Sequence, residues 1–280
     1  RIHVYEPNDD TLERRRGEMQ WVSRLHAALE EDRFRLFAQT IQGLGSNADP
    51  GFHYEVLIRM VDEEGGLVPP GAFVPAAERY GVMPSIDRWV VRNVIQWLST
   101  QQRHLDGLSF CSINLSAPTL SDPEFPHFIK DLIESSGVPP EKLCFEITET
   151  SAIANFNQAL KLISALKEKN CLFALDDFGS GMSSFGYLKN LPVDFLKIEG
   201  SFVREIVSDD TSMALVRSIN DIGHVMGKKT IAEFVEDDAV LAMVAQLGID
   251  YAQGYGISKP MPLDEFVASQ NAEEPRLVTG

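Results

Sequence analysis

Two adjacent aspartates, Asp176 and Asp177, close the apolar run CLFALDD (171–177), and a glycine-spaced loop, FGSGMSSF, follows at once. Neighbouring carboxylates repel and aspartate is a poor strand residue, so such a pair calls for a cation. Other short apolar runs end in polar residues too: Asn114, Glu146, Lys197, Glu233 and Gln253. Within YEVLIRM (54–60), the alternation of a strand puts Glu55, Leu57 and Arg59 on one face, and the same rule pairs Lys197 with Glu199. A lone carboxylate at a strand end is ordinarily a helix cap or a solvated charge. Glu55, Glu146, Asp176, Asp177 and Glu233 brought to one mouth are different, because five negative charges need two divalent cations and Lys197 to balance them. Oxygen ligands without histidine or cysteine select hard ions, Mg²⁺ or Mn²⁺. Asp176 is placed to bridge the two ions, with Asp177 beside it on the second.

The elements that must position these residues follow from periodicity. Eight strand candidates, 34–41, 54–60, 108–114, 142–148, 171–177, 194–200, 229–235 and 250–256, alternate with helical patterns at 85–102, 124–136, 155–169, 209–227 and 237–247 and a short one near 183–190. Strands apolar enough to be covered on both faces, alternating with helices, predict an α/β fold, a (β/α)₈ TIM-like barrel. Its functional residues belong at the C-terminal ends of the strands. One connection breaks the pattern: residues 42–53, QGLGSNADPGFH, are too few for a crossover helix. The first strand is therefore expected to run antiparallel to the second.

Composition narrows the partners. The 280-residue chain carries a net charge of −16, which disfavours a nucleic acid polymer and an anionic membrane surface. No apolar run approaches the roughly 20 residues of a membrane helix. Cys111, Cys144 and Cys171 sit singly in apolar runs and read as reduced core residues of a cytoplasmic protein. Six scattered histidines without an HExxH pattern argue against zinc. Residue 1 is arginine, which suggests a fragment of a longer protein.

The ordered set YEVLIR, INLS, FEITET, LDDFGSG, LKIEG, AEFVE and QGYGISKP resembles the EAL domain, the phosphodiesterase module that opens cyclic di-GMP, over residues 20–268. Each motif alone is weak; seven in order are specific. The N-terminal RIHVYEPND resembles the last strand of a GGDEF domain. The expected organisation is a GGDEF-like remnant at 1–9, a linker helix at 10–31, the barrel at 32–270 and a tail at 271–280.

The resemblance implies a site residue by residue. Glu55, Asn114, Glu146 and Asp176 would hold one metal, and Asp176, Asp177 and Glu233 the other. Lys197 would orient the attacking water with Glu233 helping as base, Gln253 would fix water or a metal ligand, and Arg59 would contact a substrate phosphate. The loop Phe178, Gly179, Ser180, Gly181 to Ser184, pinned by Glu149 and grouped with Glu236, would couple metal binding to dimerisation; the plainer reading of Glu149 is a helix-capping carboxylate. Two Mg²⁺ or Mn²⁺ would drive an in-line displacement yielding linear pGpG, with Ca²⁺ inhibitory. The domain is expected to be a homodimer without direct membrane contact, in a cytoplasmic signalling protein compatible with a parent anchored to the inner membrane.

Four positions depart from the family pattern. Val56 replaces the alanine of the eponymous tripeptide, Ser180 a usual threonine, Phe234 a frequent glycine, and Glu199 a usual aspartate. Phe234 is expected to crowd the second metal, and Glu199, one methylene longer, to fold back onto Lys197. The alternative to hydrolysis is a receptor that binds cyclic di-GMP without cleaving it. Such receptors typically lack several metal ligands, whereas this chain lacks none.

Overall fold

The computed structural model describes residues 21–45, 51–180 and 186–273. Ten strands form one sheet: β1 Phe34–Gly43, β2 Phe52–Val61, β3 Leu67–Val68, β4 Leu108–Asn114, β5 Leu143–Thr148, β6 Leu172–Phe178, β7 Phe195–Ile198, β8 Lys229–Ala232, β9 Tyr251–Ala252 and β10 Met261–Pro262. Eight of them close a barrel, because β1 pairs with both β2 and β9 while β2 and β4 to β9 pair in parallel sequence. As expected from the short connection, β1 is antiparallel to β2, from Phe34 opposite Met60 to Ile41 opposite His53. It is antiparallel to β9 as well. The two-residue strands β3 and β10 lie at the ends of the sheet order, and Pro262 is tolerated there because an edge has no ladder bond to lose.

The helices form where the apolar stripe is regular. In Phe125–Ser136 the buried residues Phe125, Ile129 and Ile133 recur every fourth position, and Gly137, at φ 72°, ends the helix in the left-handed region. Asp209 caps Asp210–Val225 by accepting from the amides of Thr211 and Ser212. Structure departs from pattern at the element ends. The 155–169 helix is Phe156–Lys167, preceded by a separate short helix, Glu149–Ala154, and the 85–102 helix is Met83–Ser99 followed by Gln102–Gly107. Helices Pro70–Arg79 and Leu263–Glu273 were not anticipated. Residues 21–30, within the expected linker, are helical and bury Leu25 and Ala28 against the barrel core. The expected remnant at 1–9 lies outside the described residues, as do 10–20 of the linker and most of the tail.

The barrel interior is layered. Its lower plug gathers Ile41, Phe110, Cys144, Ala174, Phe195, Ile231 and Tyr251, with the His53 ring 4.8 Å from Phe110 and 5.0 Å from Tyr251. Two residues further along each parallel strand stand Glu55, Ser112, Glu146, Asp176, Lys197, Glu233 and Gln253, which the two-residue period carries to the same inner side. In β1, which runs the other way, Gln39 precedes Ile41 by two and reaches the same layer. An apolar plug below and an open mouth above leave this layer as the floor of a cleft. The three cysteines are free and buried.

Candidate active site

Lys197 is the centre of the floor. It is 1% exposed, and its Nζ lies 2.7 Å from Glu146 Oε2, 2.8 Å from Glu233 Oε1, 3.3 Å from Asp176 Oδ1 and 3.6 Å from Glu55 Oε2. Burial disfavours its charge, but Asp176, Glu146, Glu233 and Glu55 outweigh that and hold the ammonium well above the usual lysine range. The acids respond in the opposite sense. Burial pushes Glu146 up to about 8 despite Lys197, with the charges of Glu55 and Asp176 adding to it. Glu233 is raised for the same reasons. One cation therefore does not neutralise this pit.

The supporting hydrogen bonds aim the acids. Glu55 Oε1 accepts from Asn114 Nδ2 at 2.6 Å, and its Oε2 accepts from Gln253 Nε2 at 2.7 Å. Gln39, which the sequence reading missed, accepts from Gln253 at 3.3 Å and donates to the Ser258 carbonyl at 3.0 Å. Gln253 comes this close because β8 and β9 nearly touch beyond their ends: a Cβ on Gly254 would fall 2.2 Å from the Val235 carbonyl. Arg59 donates to the Ile58 carbonyl and lies over the Phe37 ring at 5.3 Å, at the wall of a cleft of about 330 Å³ that also contains Glu55, Glu233 and Gln253.

Asp176, Asp177 and Glu233 each present an oxygen within 4.8 Å of the others'. Asp177 follows the strand bend in the left-handed region, φ 52°, and burial together with the charges of Asp176 and Glu199 pushes its carboxyl up to about 6. Glu146 Oε1 is buried without a hydrogen-bond partner among the described residues. An orphaned carboxylate oxygen in an over-charged pit is a costly arrangement that hard cations would relieve, so the donor set fits divalent ions with oxygen preference.

Two expectations need correction. Glu199 does not fold back onto Lys197: β7 ends at Ile198, so strand alternation stops one residue early. Glu199 instead caps the helix Gly200–Glu205, accepting from the Ser201 amide at 3.4 Å, and faces Asp177. Phe234 sits at φ 52°, in the left-handed region that favours glycine, and its ring packs on the Gly200–Glu205 helix rather than on the pit. A Cβ on Gly200 would lie 1.9 Å from that ring, and Arg204 Cζ lies 4.1 Å from its centroid.

Glu149 is not the cap of its helix. It is 3% exposed, its Oε2 accepts from the Gly179 amide at 2.9 Å and its Oε1 from the Tyr187 hydroxyl at 2.5 Å, while Thr148 makes the cap by accepting from Ser151 N. Glu149 thus holds the described residues on either side of the loop. Phe178 is buried and the Ser180 amide donates to the Asp177 carbonyl; Gly181 to Phe185 lie outside the described residues. Glu236, grouped with this loop from the sequence, lines the cleft and ion-pairs with Arg204 at 3.5 Å. Leu188 is fully buried in a short 3₁₀ turn, Leu188–Asn190, rather than on a helix face.

The EAL domain family model matches residues 22–260. Among curated proteins, the chain is 39% identical over 265 residues to the cyclic di-GMP phosphodiesterase PdeB of Shewanella oneidensis, covering 95% of this chain and 31% of that protein. It is 37% identical over 242 residues to the cyclic di-GMP phosphodiesterase PdeF of Escherichia coli, covering 86% of this chain and 32% of that protein. The chain thus spans about a third of the length of these relatives. The FimX EAL domain of Pseudomonas aeruginosa, solved bound to c-di-GMP, superposes with a TM-score of 0.80 at 33% identity, over 86% of this chain and 96% of that one.

Proposed function

The chain belongs to the EAL domain family, and on that premise we propose that it hydrolyses cyclic di-GMP to linear pGpG in bacterial second-messenger signalling. The observation that carries the reading is the acid pit: four carboxylates within 3.6 Å of one buried lysine, a fifth, Asp177, clustered with Asp176 and Glu233, and a carboxylate oxygen left unpaired. Glu55, Asn114, Glu146 and Asp176 would hold one divalent ion, Mg²⁺ or Mn²⁺, and Asp176, Asp177 and Glu233 the other. Bound there, two such ions would neutralise a phosphodiester and lower the pKa of bound water toward neutral.

The chain's own groups supply the rest. Lys197 Nζ orients the attacking water, and the adjacent Glu233 Oε1, 2.8 Å away, takes its proton. Gln253 and Asn114 hold the two oxygens of Glu55 apart, so that this acid cannot swing away. Arg59 pairs with substrate phosphate at the cleft wall. Glu199 stands beside the pit, where its negative charge raises the Asp177 carboxyl and adds to the demand for a cation. The test is incubation with cyclic di-GMP and chromatographic separation of nucleotides. Linear pGpG should form with Mg²⁺ or Mn²⁺ and not with Ca²⁺, whose longer bonds and higher coordination number displace the reacting groups. Equal turnover in Ca²⁺ and Mg²⁺ would remove the two-metal assignment.

We also infer that the domain self-associates beside the loop held by Glu149. Val207 and Leu215, on and after the helices flanking that loop, are 52% and 41% exposed. Sedimentation should find a dimer, and a fully active strict monomer at high concentration would refute it. No described helix is long and apolar enough to cross a membrane. The three free, buried cysteines support a cytoplasmic setting for the domain.

A further inference from the structure

We propose that Arg204 is a further substrate-binding residue, whose guanidinium, held by Phe234 and Glu236, takes the phosphate of the cyclic dinucleotide that is not being cleaved. The assignment rests on the cyclic di-GMP reading above. A cyclic dinucleotide carries two phosphodiester charges, and only one can lie over the acid pit at a time. The cleft wall adds negative charge of its own through Glu55, Glu233 and Glu236, so the second phosphate needs a cation there. Lys197 cannot serve, being 1% exposed and surrounded by four carboxylates. Among the described residues lining the cleft, two guanidinium groups remain, Arg59 and Arg204. Arg59 stands on β2 four residues beyond Glu55 and belongs with the phosphate at the pit.

Arg204 is built into place rather than left to the solvent. It lies in the last turn of Gly200–Glu205, with Cζ 4.1 Å from the Phe234 ring centroid and Nε 3.5 Å from Glu236 Oε1. The ring reaches it because residue 200 is glycine and because Phe234 adopts φ 52°. A bulky residue in that conformation is strained, so its presence at a cleft wall needs a local return. A stacked and paired guanidinium still has free N–H donors in a planar fork suited to phosphate, and the Arg204 side chain remains 49% exposed.

The experiment compares the parent, Arg204→Ala, Arg204→Lys and Phe234→Ala on cyclic di-GMP and on bis(4-nitrophenyl) phosphate, which has one phosphate. Arg204→Ala should raise KM for cyclic di-GMP about tenfold or more, the scale of a lost charged hydrogen bond, with kcat within about twofold. Its turnover of the small diester should match the parent's. Arg204→Lys should recover only part of the loss, because an ammonium still pairs with phosphate but lacks the stacked planar fork. Phe234→Ala should raise KM less, and combining it with Arg204→Ala in one chain should be no worse than Arg204→Ala alone. Calorimetric binding of cyclic di-GMP should weaken by the same factor, which tests Arg204 whether or not turnover is seen. An unchanged KM and Kd in Arg204→Ala, or equal losses on both substrates, would overturn the assignment. A parent that forms no pGpG would instead count against the hydrolysis reading.

Discussion

Glu55→Ala is expected to lower kcat/KM for cyclic di-GMP by about 10²–10³-fold, the scale of losing one preorganised charged contact at a reacting centre. Glu55 is 7% exposed and is gripped at both oxygens, by Asn114 at 2.6 Å and Gln253 at 2.7 Å. That grip is what a metal ligand requires, since a carboxylate free to rotate would lose the geometry of the reaction. Stability should change little. The substitution leaves two amide donors without their acceptor, but it also removes one negative charge from an over-charged pit. Steady-state kinetics beside a thermal melt will separate these effects. Activity within threefold of the parent would show that the assigned ligand set is wrong.

Lys197→Met should act on both function and fold. It removes the cation that touches Glu55, Glu146, Asp176 and Glu233, and with it the proposed water-orienting group. Turnover should fall by about 10²–10⁴-fold, the range of a positioned proton-transfer group. In chelator, unfolding should become easier by about 3–5 kcal/mol, as when one partner of a buried ion cluster is deleted. Mg²⁺ should return part of that, because divalent ions offset the same charges. The parent carries a related signature. Glu146 is pushed from 4.5 to about 8, so the folded chain holds a proton there that the unfolded chain releases. The stability of the metal-free protein should therefore fall as pH rises between those values. Denaturant melts in chelator across that range measure both effects, and a Lys197→Met melt identical to the parent's would contradict the account.

Much of the site was legible because strand geometry is local. Alternation places Glu55, Glu146, Asp176 and Lys197 two residues beyond His53, Cys144, Ala174 and Phe195, so an apolar plug and an acidic floor are written into the same short runs. The antiparallel first strand was equally readable, since residues 42–53 hold too few positions for a crossover helix. Gln39 was missed for a related reason. It lies on the one reversed strand of the closed barrel, where the residue at floor level comes before the plug residue rather than after it.

Sequence alone therefore determined which residue types share the inner side of each strand, and that their summed charge calls for hard cations. Tertiary structure decided where each strand stops. β7 ends at Ile198, which turns Glu199 from a partner of Lys197 into a helix cap beside Asp177. The φ of 52° at Phe234 follows the end of β8 and lays the ring on Gly200, bringing Arg204 to the cleft from a helix with no catalytic motif. The distances around Lys197 are likewise a property of closure, because its partners come from β2, β5, β6 and the end of β8. Periodicity is carried by the backbone within an element. Strand length, register and the meeting of charges depend on neighbours far away in the chain, and only the closed barrel supplies those.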